Sequence, residues 1–99
     1  MYVVREVMQC KPGKVRDMVT KFKSLSGVIQ KAGFKPFRVF TDVSGEPFWT
    51  VVAETEVDSL DGFVAMEEKV MGIEEARRIM SGYHDLVERG RREIYRVEG

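Results

Sequence analysis

Asparagine is missing from this 99-residue chain altogether, and glutamine occurs only as Gln9 and Gln30. There is one cysteine, Cys10, one histidine, His84, and one tryptophan, Trp49. A lone cysteine excludes an internal disulfide framework, and no signal-peptide pattern opens the chain, so a reducing, cytoplasmic setting is expected. One histidine and one cysteine, without ligand spacing, exclude a metal site of the usual transition-metal kind. No apolar run approaches the roughly 20 residues that span a bilayer. A glycine-rich phosphate loop is absent, and neither Ser44-Gly45 nor Ser81-Gly82 sits in a nucleophile motif. Low amide content beside abundant Glu, Lys and Arg is a thermophile tendency.

Charge is plentiful but balanced. Lys plus Arg and Asp plus Glu each number 16. That balance argues against a basic protein that coats nucleic acid. The signs are segregated, however. Residues 1–40 carry nine basic and two acidic side chains, and residues 41–76 carry one basic and ten acidic. Two solvated helix faces of opposite sign account for this, and so does a subunit contact steered by charge.

The length is that of one domain, residues 1–99, whose single core buries about two-thirds of the unfolded surface. Tyr2 to Gln9 is rich in β-branched and aromatic residues and reads as a strand. Lys11-Pro12-Gly13 launches a helix, whose apolar stripe is Val15, Met18, Val19, Phe22, Leu25, Ile29 and Ala32. Gly33 stands where a left-handed helix stop belongs. Phe34–Thr41 and Pro47–Val57 read as two strands of a hairpin around Ser44-Gly45. Asp58 is the expected cap of a second helical pattern, broken near Gly72 and resumed through Ile73, Ala76, Ile79, Met80, Tyr83, Leu86 and Val87. Gly90 reads as its stop and Arg92–Val97 as the last strand. The order β-α-β-β-α-β predicts an α+β, ferredoxin-like antiparallel sheet with helices on one face.

The strands are apolar on both faces, with a charge or two inserted. That pattern suits a sheet held between helices on one side and a second sheet on the other, hence a homodimer. The β-α-β-β-α-β order, the KPGK after the first strand and the closing HDLVERGRREIYRV resemble the dimeric α+β barrel superfamily along the whole chain. The chain is most similar to its NIPSNAP-like branch. The resemblance implies that two chains form one barrel, with ligands between sheet and helices or inside it. It also implies a choice of functions, because the superfamily includes monooxygenases of antibiotic biosynthesis, haem-degrading enzymes and isomerases. Haem-degrading members use a helical histidine beside an asparagine and a tryptophan. Here there is no asparagine, and Trp49 falls in the expected third strand.

Two readings stay open. In the first, the chain is a binding or assembly module for a small apolar or aromatic ligand. In the second, it is a cofactor-independent monooxygenase or isomerase acting on a small aromatic compound. His84, at the border of the expected helical stripe, is the proton-transfer candidate, or else a half-buried flank histidine. Arg38, Glu54, Tyr95 and Arg96, with Arg5 or Glu6, are polar groups in apolar strands. They either orient a ligand between walls made by Phe40, Phe48, Trp49 and Tyr83 or pair across the dimer. Arg89 and Arg91 complement a helix end, and no cofactor, membrane or nucleic acid is expected.

Overall fold

The computed structural model describes residues 1–99. β1 (Tyr2–Cys10) leads through Lys11–Lys14 into α1 (Val15–Lys31), followed by β2 (Arg38–Thr41) and β3 (Thr50–Val57). Then come α2 (Leu60–Met71), α3 (Glu74–Met80), a single 3-10 turn at Tyr83–Asp85, and β4 (Val87–Arg96). The strands form one antiparallel sheet in the order β2-β3-β1-β4. All helices lie on one face, which is the ferredoxin-like arrangement that the element order predicts. The Cα extents of 36 × 34 × 17 Å are those of a two-layer slab. No helix is long and apolar enough to cross a membrane.

Strand alternation decides which side chains enter the interior. Val4 and Cys10 of β1 point to the helices with Val51 and Ala53 of β3, and all four are essentially inaccessible. The stripe of α1 meets them through Met18, Val19, Phe22, Leu25, Val28 and Ile29. Phe63, Met66 and Val70 of α2 and Ala76 of α3 complete the layer. Two apolar clusters result, one centred on Val4 and Phe63 and one on Cys10 and Phe22. Phe37 and Met80 pack against both.

Local chemistry sets most element ends. Gly33 adopts φ 93°, and Phe34 N–H returns to the Ile29 carbonyl, which stops α1. Phe37 N–H donates to Ser26 Oγ at 2.8 Å, tying the following segment to α1. The two helices meet at Gly72, where the interrupted pattern predicts a break. Lys21 Nζ donates to the carbonyls of Ile79 and Ser81, satisfying the end of α3.

Four expectations are corrected. β2 begins at Arg38 rather than Phe34, because Pro36 offers no ladder donor. β3 begins at Thr50 rather than Pro47. Trp49, with φ 66°, turns the chain, and Thr50 N–H donates to Asp42 Oδ1 at 2.8 Å, so Phe48 and Trp49 lie in a loop. The cap of α2 is Ser59, whose side chain accepts from Gly62 N–H at 3.0 Å, in place of Asp58. The largest difference is at the C-terminus. Gly82, at φ 80°, breaks the helical path before Tyr83, so His84 sits on a 3-10 turn and Val87 already belongs to β4. Gly90 is therefore a strand glycine opposite Met8, not a stop. A Cβ there would stand 2.8 Å from Met8 Sδ, so a side chain at this position would require Met8 to shift.

Phe22 is 2 % exposed and meets Phe37 edge to face at 6.2 Å. Phe22→Ala is expected to lower stability by about 3–5 kcal/mol. Urea denaturation should show the midpoint falling with the slope unchanged.

Candidate functional site

The sheet separates the candidate residues into two groups. Register places Arg5, Arg38, Phe40, Glu54, Arg91, Glu93 and Tyr95 on the face without helices. Arg5 Nε donates to Glu54 Oε1 at 2.8 Å, and Arg38 stands 3.8 Å from the other Glu54 oxygen. The Glu54 contact holds the Arg5 guanidinium more firmly protonated than usual. Arg91 bridges Glu46 and Glu93, and Tyr95 Oη donates to Glu93. The Arg5 and Arg38 guanidinia also stack on the Tyr95 and Phe40 rings, each at 5.1 Å. Arg38, Phe40, Glu54 and Tyr95 thus share one surface.

Phe48, Trp49, Tyr83, His84 and Arg96 are placed elsewhere. Phe48 and Trp49 pair edge to face on the β2–β3 loop, with Phe48 largely exposed. Arg96 lies at the far end of β4, stacked on Tyr2. Tyr83 and His84 are neighbours on the 3-10 turn, with ring centroids 4.0 Å apart.

The helix face holds a partly open space where the resemblance implies a ligand, between sheet and helices. A cavity of about 250 Å3 lies between β1, β3 and the helices. Val4, Phe22, Ile29, Phe63, Val70 and Met80 supply much of its apolar wall, and Tyr83 reaches its edge. An open groove beside β4, lined by His84 together with Tyr83 and Val87–Arg92, adjoins it; the two share Glu6, Met8, Tyr83 and Arg92. His84 lines the groove and not the cavity.

One polar cluster interrupts the apolar wall: Glu6 of β1, Arg92 of β4 and Glu67 of α2. Alternation puts Glu6 in the series Tyr2, Val4, Met8 and Cys10, facing the helices. Antiparallel register sets Arg92 directly opposite it. Arg92 Nε donates to Glu6 Oε1 at 2.6 Å, and Arg92 Nη2 donates to Glu67 Oε2 at 2.6 Å. Arg92 Nη1 reaches the other Glu67 oxygen at 3.4 Å, and the guanidinium stands 4.9 Å from the Phe63 ring centroid. The arginine therefore ties both strands to α2 through a two-pronged pair. Burial pushes the Glu6 carboxyl above its ordinary value; Arg92 opposes the rise, and the Glu67 charge adds to it. Burial likewise pushes the Cys10 thiol up, as suits an inert core residue. No group of three or more His, Cys, Asp or Glu is arranged to hold a metal ion.

Glu6 and Arg92 stand out in the sequence as charges in apolar strands, one of Arg92 and Glu93 having to point inward or toward a partner, whereas Glu67 is visible only as a helix charge. The available signal is positional: Glu67 lies between Phe63, Met66 and Val70 on the buried stripe of α2.

The raised Glu6 carboxyl has a definite consequence for pH dependence. Well below 4.5, its ordinary value, Glu6 is protonated in folded and unfolded chains alike. As pH rises, the unfolded chain releases the proton first, so Glu6 subtracts stability until its raised folded value is passed. The stability of the native protein relative to Glu6→Gln should therefore shrink between about pH 4 and about pH 7. Urea titrations of both proteins at the two pH values check this, and a constant difference would contradict it.

No family model and no curated protein matches the sequence. Solved structures do match in shape. An uncharacterised NIPSNAP-domain protein from Burkholderia xenovorans superposes with a TM-score of 0.83 at 17% identity, over 99% of this chain and 95% of that one. A NIPSNAP-family protein of unknown function from Agrobacterium tumefaciens gives 0.79 at 19% identity, over 99% and 91%. A protein assigned provisionally to antibiotic biosynthesis monooxygenases, from Chloroflexus aurantiacus, gives 0.74 at 12% identity, over 99% and 94%. The chain thus has the ferredoxin-like α+β fold shared by NIPSNAP-domain and antibiotic biosynthesis monooxygenase-type proteins.

Proposed function

We propose that this protein is a homodimeric binding module that takes a small apolar or aromatic molecule into the space between its sheet and helices. The observation that carries the reading is the 250 Å3 cavity, walled by apolar side chains and bearing one compact polar cluster. A concave apolar space with a few convergent polar groups is the usual form of a small-molecule site. The volume suits a one- or two-ring compound.

The dimer half of the proposal rests on the uncovered sheet face. Only 17 of the 99 residues are buried in a single chain, a thin core for this length. The open face mixes Arg5, Arg38 and Arg91 with Glu54, Glu93 and Glu46, beside Phe40 and Tyr95. A surface carrying both signs can be self-complementary under a two-fold axis. In such a dimer Arg38, Glu54 and Tyr95 would serve the contact between copies rather than a ligand.

The alternative is a cofactor-independent monooxygenase or isomerase acting on a small aromatic compound. It draws on the shape shared with the Chloroflexus aurantiacus protein and on the groove that brings His84 within one residue of cavity-lining Tyr83. Turnover of a bound compound, lost in His84→Ala while binding persists, would distinguish it from simple binding.

Two measurements test the main reading. A ligand present at 100 times its Kd stabilises by about 2.7 kcal/mol. For a domain of this size that raises Tm by roughly 10 °C or more. Val70→Phe, which fills the cavity, should abolish the rise without unfolding the protein. Sedimentation equilibrium at micromolar concentration should show a dimer. The double variant Arg5→Glu/Arg38→Glu should shift it toward monomer. A stable native monomer would overturn the dimer half, and the absence of any thermal response across a panel of one- and two-ring compounds would overturn the binding half.

A further inference from the structure

The polar end of the cavity has an unusual charge balance. It holds two carboxylates, Glu6 and Glu67, and one guanidinium, Arg92, and no other charged residue lines the cavity. Arg92 is already committed, through Nε to Glu6 and through Nη1 and Nη2 to Glu67, with Phe63 stacked against it. The neighbouring arginines are also engaged: Arg91 with Glu46 and Glu93, and Arg89 with Gln9 Oε1. An anionic head entering the cavity would meet a net negative cluster and no spare guanidinium.

Glu6 itself is only half satisfied. Its Oε1 takes the Arg92 bond, and no protein donor reaches its Oε2. No buried side-chain oxygen or nitrogen in the molecule lacks a hydrogen-bond partner. Oε2 is therefore an accessible acceptor on a residue that lines both the cavity and the adjoining groove. Tyr83, which lines the same cavity, likewise has no side-chain hydrogen bond through its hydroxyl.

From this geometry we infer that the cavity selects apolar or aromatic ligands that carry a hydrogen-bond donor, a hydroxyl, N–H or ammonium group, and discriminates against carboxylates, with Glu6 Oε2 as the acceptor that decides. This rests on the cavity being a ligand site, as proposed above. The apolar body fills the space against Phe22, Ile29, Phe63 and Val70, and the donor is directed at the strand carboxylate. Burial, which favours the protonated form of Glu6, also makes the free Oε2 of an ionised Glu6 a stronger acceptor for a ligand that excludes water from it.

Naphthalene, 2-naphthol and 2-naphthoate share one apolar body and differ at one position. Their binding to the native protein, Glu6→Gln and Glu6→Leu at neutral pH, followed by calorimetric titration or by probe fluorescence, tests the inference. The native protein should bind 2-naphthol at least about tenfold more tightly than 2-naphthoate, the range expected for a hydrogen bond to a charged group. Glu6→Gln, which removes the charge and keeps an acceptor, should narrow that gap mainly by improving 2-naphthoate. Glu6→Leu should reduce 2-naphthol to the level of naphthalene. Equal or tighter binding of 2-naphthoate by the native protein would overturn the inference, as would a gap that Glu6→Gln leaves intact. If Glu6→Leu does not fold, the comparison with Glu6→Gln decides. Binding of naphthalene without preference among its derivatives defeats the selectivity alone. Binding of none of the three defeats the cavity as a ligand site, and this inference with it.

Discussion

A carboxylate on the wrong side of a strand organises this molecule. Glu6 alternates with Val4 and Met8, so the pleat that turns those residues toward the helices carries Glu6 there too. A partly buried charge is best tolerated when it is paired and hydrogen-bonded. Arg92 answers it from the adjacent strand, directly across the ladder, and is itself held by Glu67 from α2. One ion cluster thereby links the first strand, the last strand and the second helix. All three charged residues line the cavity beside the apolar side chains of α1 and α2.

The two faces of the sheet use the same residue types for different ends. On the helix face, a single cluster of three charges sits against an apolar wall and leaves one oxygen accessible. On the open face, arginines and glutamates alternate across four strands and largely satisfy one another, with aromatic rings beneath two of the guanidinia. The first arrangement has the form of a pocket with a specific polar end. The second has the form of a broad contact surface, where mixed charge favours register and partner choice over raw affinity.

Legibility followed the range of the interactions involved. α1 could be read residue by residue, because its stripe, its KPG entry and its Gly33 stop are local features. The hairpin and the break near Gly72 could be read for the same reason. The strand starts at Arg38 and Thr50 could not, since each depends on loop bonds such as Asp42 to Thr50 and on the left-handed turn at Trp49. His84 drew attention by being the only histidine, whereas Glu67 hid among sixteen acidic residues although it lies on a buried stripe. Rarity marked a residue in the groove, and position marked one in the cavity.

By itself the sequence determined the order of elements, the amphipathic first helix and the one-sided layering, because periodicity and turn chemistry act within a few residues. Tertiary structure decided the C-terminal part. Val87 ends an apolar helical pattern in the sequence, yet pairing with β1 draws it into a strand, where Gly90 lies opposite Met8. The meeting of Glu6, Arg92 and Glu67 was likewise decided by strand register and helix docking. Contacts separated by 25 and 86 positions along the chain leave no local mark on it, and only the folded backbone brings them together.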